Sequence, residues 1–107
     1  MSTSKPKVSV VLLNWNGIKL LKRYFSSILN QTFQGYEIIF FDNNSKDNSI
    51  NYIKSISKKN RVKIKIIKNI KNDGTAYASN LAFNYTNGDY VFFVSNDMLF
   101  DKNIIEN

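Results

Sequence analysis

Apolar positions along the chain fall into two patterns that alternate from one end to the other. The stretches "VSVVLL" (8–13), "EIIFFD" (37–42) and "DYVFFVS" (89–95) are short, nearly continuous apolar runs. Such runs mark strands covered on both faces. The stretch "RVKIKII" (61–67) differs, because Val62, Ile64 and Ile66 alternate with Lys63 and Lys65. One apolar and one charged face suit an edge strand, where outward lysines discourage stray pairing. Between these runs the period lengthens. Over 18–30, Leu20, Leu21, Tyr24, Phe25, Ile28 and Leu29 recur at steps of three and four, which predicts a helix. Over 47–59, Ile50, Ile53 and Ile56 form a narrower stripe, with Ser45 or Asp47 as the expected N-cap. Over 75–86, Ala78, Leu81, Ala82 and Tyr85 form a third stripe, which Gly88 is placed to stop. The small residues there would let the helix approach the sheet closely. Residues 1–7 are polar and hold the only proline, and read as a frayed start.

The resulting order, β-α-β-α-β-α-β, implies an α/β, doubly wound and mainly parallel sheet with right-handed crossovers. Three buried strands and one edge-like strand, third in sequence, fit the spatial order 3-2-1-4. Ligands of such sheets sit at the carboxyl ends of the strands, near the point where the order reverses. The 107 residues, 43% of them hydrophobic, suffice for a single domain, 1–107, with its own core.

Composition narrows the chemistry. The chain contains no cysteine and no histidine. Disulfides, thiolate metal sites and cysteine nucleophiles are excluded, as are histidine bases. Any metal would be held by oxygen, which favours Mg²⁺, Mn²⁺ or Ca²⁺. The net charge of +7 reads either as a solubilising lysine excess or as the mark of an anionic partner.

Four polar segments follow the four strands: "NWNG" (14–17), "DNNSKDNS" (42–49), "NIKNDGTAYASN" (69–80) and "SNDM" (95–98). Asp42 directly follows an apolar run, and Asp97 lies just past Val94. Carboxylates at the tips of central strands need donors or a cation if they are partly buried. Asp42 is either a turn or cap residue or an acceptor for a ligand's N–H or hydroxyl. Asp97 is either an N-cap or a ligand for a divalent ion that bridges phosphates. The segment "NDGTAYASN" is either a plain β-to-α turn or a helix start offering N–H groups to an anion. It is not a Walker loop, and the first strand lacks the glycine-rich dinucleotide fingerprint.

Taken together, "VSVVLLNWNG", "EIIFFDNNSKDNS", "NDGTAYASNLA" and "DYVFFVSNDM" resemble the N-terminal, nucleotide-sugar-binding half of family 2 glycosyltransferases. The order and spacing are similar to that family's A-type fold, a Rossmann-like half included, and most similar to its rhamnosyltransferase-like branch. The resemblance runs from about Lys7 to Phe100. It implies that Asn14, Trp15 and Asn16 border the nucleotide base and ribose. It implies that Asp42 takes the base N–H of a UDP- or dTDP-type donor, with Asn44 and Ser45 shaping that pocket. Asn72 and Gly74 would start the helix that faces the donor, and Asn80 would lie near the sugar diphosphate. Asp97 would be the second carboxylate of an Asp-x-Asp element holding Mn²⁺ or Mg²⁺, with Ser95 at the first position and Asn96 between. A single carboxylate should hold the ion less tightly unless diphosphate and waters complete its shell.

The function so implied is binding of a nucleotide-diphosphate sugar for inverting transfer to a glycan or lipid-linked acceptor, as in polysaccharide biosynthesis. Inverting members also need a base for the acceptor hydroxyl. Neither Asp101 nor Glu106 stands where the family keeps it. No catalytic residue is therefore assigned, and the resemblance places the expected base beyond Asn107, the last residue of the chain. The chain is expected to be the donor half alone, a truncated transferase that is weakly active or inactive by itself. Other readings are a self-associating, non-catalytic module, a homo-oligomer through exposed sheet edge, and a basic surface for nucleic acid or membrane. The aromatics are not interleaved with the basic stretch 54–71, which argues against nucleic acid. No run reaches transmembrane length, and the expected location is cytoplasmic, against the inner membrane face if the basic surface is used.

Overall fold

The computed structural model describes residues 6–31, 34–70 and 75–94, the side chains of 75 and 76 excepted. In chain order the elements are β1 (Val8–Asn14), α1 (Ile18–Leu29), β2 (Tyr36–Asn43), α2 (Ser49–Ser57), β3 (Lys63–Asn69), α3 (Thr75–Phe83) and β4 (Tyr90–Val94). The four strands form one sheet in the order β3-β2-β1-β4, and every pairing is parallel. Both the element sequence and the expected strand order hold.

Alternation along the strands builds a core on each face. Val10, Leu12, Ile38 and Phe40 project to one side, where Leu21, Phe25 and Ile28 of α1 and Ile53 of α2 meet them. Phe25 and Phe40 contact edge to face, with centroids 6.4 Å apart. Val11, Ile39 and Phe41 project to the other side against Ala78 and Ala82 of α3. These two alanines are essentially fully buried, so the small stripe does allow the close approach that its composition suggests. β2 is buried along its whole length, as the continuous run 37–42 predicts.

Four expectations are corrected. β4 is not covered on both faces: it ends the sheet among the described residues, and Tyr90 and Phe93 are 64% and 46% exposed. Its aromatic and β-branched composition satisfies a strand at any position, so apolarity alone does not reveal the cover. The residue before α2 is Asn48, with no side-chain cap bond. Asp47, one position earlier, does the capping by accepting the Ser49 N–H at 3.0 Å. α3 stops at Phe83 rather than 86. The chain there tightens into i→i+3 bonds from Asn84, Tyr85 and Thr86, and the Lys65 ammonium donates to the Tyr85 carbonyl at 3.0 Å. Gly88 therefore does not stop the helix. Its N–H donates to Ser9 Oγ at 2.8 Å, and a Cβ on it would meet the Ser9 nitrogen at 2.6 Å and the Val8 carbonyl carbon at 2.7 Å.

Lys65 also departs from the outward lysine of an edge strand. It turns over the α3 face and sits 3.4 Å from the buried carboxylate of Glu37. Glu37 Oε2 accepts from Ser9 Oγ at 2.6 Å and from the Asn87 N–H at 2.8 Å. Burial pushes the Glu37 carboxyl upward, but these donors and the Lys65 charge outweigh it and hold it below its ordinary value. The group fastens the α3–β4 turn to the amino-terminal edge of the sheet.

Candidate functional site

Because all strands run the same way, their carboxyl ends open on one edge, and the β1–α1 and β2–α2 loops meet there. Asn14, Asp42 and Lys68 occupy one row across β1, β2 and β3. Asn14 and Asp42 are buried, while Lys68 is exposed. Asn14 Nδ2 donates to Asp42 Oδ1 at 2.9 Å and lies 3.2 Å from Ser45 Oγ. The Ser45 hydroxyl donates to Asp42 Oδ1 at 2.7 Å, and the Ser45 N–H donates to Oδ2 at 2.8 Å. A buried carboxylate thus collects three protein donors instead of lying uncompensated.

The same loops are joined a second time, further out. The Asn16 N–H donates to Ser45 Oγ at 2.7 Å, and the Lys46 N–H donates to Asn16 Oδ1 at 2.6 Å. Asn16 and Asn44 are the only described non-glycine residues with positive φ, at 49° and 66°. Left-handed backbone costs a non-glycine residue free energy and persists where surrounding contacts fix it. Here one lies in each loop. Next to Asn16, the Trp15 indole is 55% exposed, an aromatic surface carried by a tethered loop.

Asp47 makes a third tie. Its Oδ2 accepts from the Ile18 N–H at 3.1 Å, at the start of α1, while its Oδ1 accepts from the Ser49 N–H and hydroxyl, at the start of α2. One carboxylate therefore serves the N-termini of two helices, where donors and helix dipoles both favour an anion. Burial pushes Asp47 upward, but the bonds from Ser49 and Ile18 prevail and hold it below its ordinary value.

Of the residues singled out from sequence, the structure brings Asn14, Trp15, Asn16, Asp42, Asn44 and Ser45 together on this edge. Asn80 lies in α3 and is exposed. Asn72, Gly74, Ser95, Asn96 and Asp97 lie outside the described residues. So does Asn107, the position past which the base is expected from the resemblance. Sequence reasoning misses two residues. Asn43 is buried at the end of β2 and its Oδ1 accepts from Asn69 Nδ2 of β3 at 2.8 Å; nothing in its motif signals that bond. Asp47 reads in the sequence only as a cap of α2, because its bond to α1 comes from the fold. Among the described residues no three carboxylates cluster as a metal site. Asp42 and Asp47 are engaged by protein donors.

The family model for glycosyl transferase family 2 matches residues 9–107. The chain belongs to that family. Among its relatives, it is 37% identical over 105 residues to the poly(ribitol-phosphate) beta-N-acetylglucosaminyltransferase TarP of Staphylococcus aureus, covering 94% of this chain and 31% of TarP. It is 33% identical over 92 residues to an uncharacterised glycosyltransferase of Haemophilus influenzae, covering 86% of this chain and 36% of that protein. The chain thus spans about a third of the length of these relatives. Among solved structures, S. aureus TarS 1–349 in complex with UDP-GlcNAc superposes with a TM-score of 0.84 at 23% identity, over 94% of this chain and 29% of that one. The mannosyltransferase PcManGT of Pyrobaculum calidifontis, in complex with GDP-Man and Mn²⁺, gives 0.85 at 20% identity, over 94% and 30%. The glycosyltransferase A-type fold implied by the resemblance of the motifs is therefore the one observed.

Proposed function

We propose that this family 2 glycosyltransferase chain binds a nucleotide-diphosphate sugar of the UDP or dTDP type, for inverting transfer to a glycan or lipid-linked acceptor. The observation that carries the reading is the double-tied pair of loops at the carboxyl edge, with Asn14, Asp42 and Ser45 in one hydrogen-bonded group. Asn14, Trp15 and Asn16 form the base and ribose wall. Asp42 Oδ2, which accepts from the Ser45 N–H, is assigned the base N–H, while Asn44 and Ser45 set the shape of that pocket. Asn72 and Gly74 are assigned to the start of the donor-facing helix, and Asn80, with Ser95 and Asn96, to the sugar diphosphate. Asp97 is assigned to Mn²⁺ or Mg²⁺, which when bound would neutralise charge on the leaving diphosphate. The nucleotide sugars named for TarS and PcManGT support this donor class. TarP, named for a poly(ribitol-phosphate) acceptor, supports a polymeric one.

The test is calorimetry with UDP and dTDP, with and without Mn²⁺. Binding is expected for at least one nucleotide. Asp42→Ala should weaken it with or without metal, whereas Asp97→Ala should remove only the metal-dependent part. Silence at millimolar nucleotide would refute the donor reading. A second reading, self-association, is favoured by the exposed Tyr90 and Phe93 on the outermost described strand. It predicts a mass by light scattering that rises with concentration while nucleotides leave the protein unaffected.

A further inference from the structure

Charge is sorted between inside and outside in this fold. The described acidic residues are Glu37, Asp42, Asp47 and Asp89, and only Asp89 is exposed. Glu37, Asp42 and Asp47 hold internal hydrogen bonds. Every described lysine and arginine except Lys65 is exposed. The outer surface is therefore more basic than the net charge of +7 alone conveys. The sorting is sharpest on the β3 side. From residue 48 to 72 the sequence has no acidic residue, and Lys54, Lys58, Lys59, Arg61, Lys63 and Lys68 are all exposed.

The fold places these six along one border. β3 is the outer strand beside β2, and α2 covers one of its faces through the cluster holding Ile53, Ile64 and Ile66. Lys54, Lys58 and Lys59 mark the end of α2, and Arg61 and Lys63 the start of β3. Lys68 lies at its far end, in register with Asp42 at the candidate donor edge. β3 spans about 20 Å at strand rise. Five of the charges thus gather at the opposite end of the sheet, and Lys68 stands at the lip where Asn14 and Asp42 sit.

We propose that this border binds a phosphodiester-linked polyanionic chain and leads it to the donor edge, which makes the acceptor class an anionic polymer. The acceptor assignment rests on the donor-site reading; the binding does not. Two features favour a linear polyanion over other anionic partners. Lys63 shares its face of the strand with Lys65, which reaches the α3 side, whereas Lys54 lies in α2, which packs on the other side, and Lys58 and Lys59 directly follow that helix. The charges wrap the sheet border, so a flexible chain meets them better than a flat lipid surface does. The stretch 54–70 contains no aromatic residue, so bases have no stacking platform. Its one strongly exposed large apolar side chain, Ile70, lies past Lys68 at the donor edge.

The experiment is fluorescence anisotropy on the intact chain with a labelled synthetic poly(glycerol phosphate) oligomer. Neutral dextran, single-stranded DNA and phosphatidylglycerol-containing vesicles are compared in parallel, and UDP calorimetry is run on the same samples. Binding to the oligomer is expected, falling roughly tenfold or more between about 50 and 200 mM salt as counterion release requires. The charge-reversed double variant Lys58→Glu/Arg61→Glu should lose roughly tenfold in oligomer affinity with unchanged circular dichroism and unchanged UDP binding. A milder Lys58→Gln/Arg61→Gln pair should show an intermediate loss. Equal binding by wild type and both variants would overturn the proposal, as would no binding of the oligomer. Tighter binding of vesicles or DNA than of the oligomer would overturn it in favour of those partners. Oligomer binding with silence toward UDP would retain the basic border and remove the donor reading instead.

Discussion

Replacing Ser45 with alanine removes an atom that makes three of the bonds between and within the two loops. Its hydroxyl donates to Asp42 Oδ1 at 2.7 Å and accepts from the Asn16 N–H at 2.7 Å and from Asn14 Nδ2 at 3.2 Å. The first bond goes to a fully buried carboxylate, and losing a hydrogen bond to a charged group costs about 1.5–3 kcal/mol. Water can reach the exposed Asn16 N–H, and Asn14 keeps Asp42 Oδ1 at 2.9 Å, so these two add about 0.5 kcal/mol together. The sum is about 2–3.5 kcal/mol, a large share of the roughly 5–15 kcal/mol that stabilises a domain. Urea unfolding followed by circular dichroism should show the midpoint falling by about 1–2 M at the slopes usual for small proteins. The functional consequence is separate. Asn16 loses one of its two bonds to the β2–α2 loop and keeps the one from the Lys46 N–H, so the Trp15 loop loosens and UDP affinity should fall about fivefold, an ordering cost of about 1 kcal/mol. Ser45→Thr, which keeps the hydroxyl, should recover most of both effects. A Ser45→Ala midpoint within about 0.3 M of wild type, with nucleotide affinity unaltered, would refute the reasoning about this junction.

Three further outcomes follow from the packing and electrostatics. Gly88→Ala should destabilise by about 1–3 kcal/mol in urea unfolding, because a Cβ there meets β1 backbone that cannot rotate away. Lys65→Met should cost about 1.5–3 kcal/mol, since Glu37 stays buried with Oε1 lacking any hydrogen-bond partner among the described residues; adding Glu37→Gln should cost less than the two single losses summed. Glu37 and Asp47 are both held below their ordinary values of 4.5 and 3.8. Their contribution is therefore complete above those values and is lost as pH falls through the depressed folded ones. Urea stability should stay level on acidification to about pH 5 and decline below it, with a shallower decline in Glu37→Gln/Asp47→Asn; a rise in stability below that pH would contradict the assignment.

The fold was legible because two periodicities alternate and one strand differs from the rest. The Lys–Ile alternation of 61–67 set β3 at the border, a placement that fits the order 3-2-1-4 seen in the sheet. The same alternation misled on Lys65, because a long side chain on an edge strand can bend over a face and pair with a carboxylate from β2. Glu37 heads an apolar run that offers its charge no partner; only the turn after α3 reveals why a charge is buried there. Gly88 looked like a helix stop because sequence shows spacing from α3 and not the backbone of β1 lying against it. At the site, the strand-end positions of Asn14 and Asp42 were legible. The direct bond between them, the sharing of Ser45 and the service of Asp47 to two helices depend on side chains 28 to 31 positions apart. Those distances are closed by parallel register, which no local pattern records.

The measurement that bears most directly on the account is titration of the intact chain with UDP in the presence of Mn²⁺, paired with Ser45→Ala and with Lys58→Glu/Arg61→Glu. Saturable heat is expected for the wild type, with a clear weakening for Ser45→Ala and none for the charge-reversed variant. Heat that is absent in all three, or unchanged by the loss of Ser45, would contradict the claim that the joined loops at this edge hold the nucleotide.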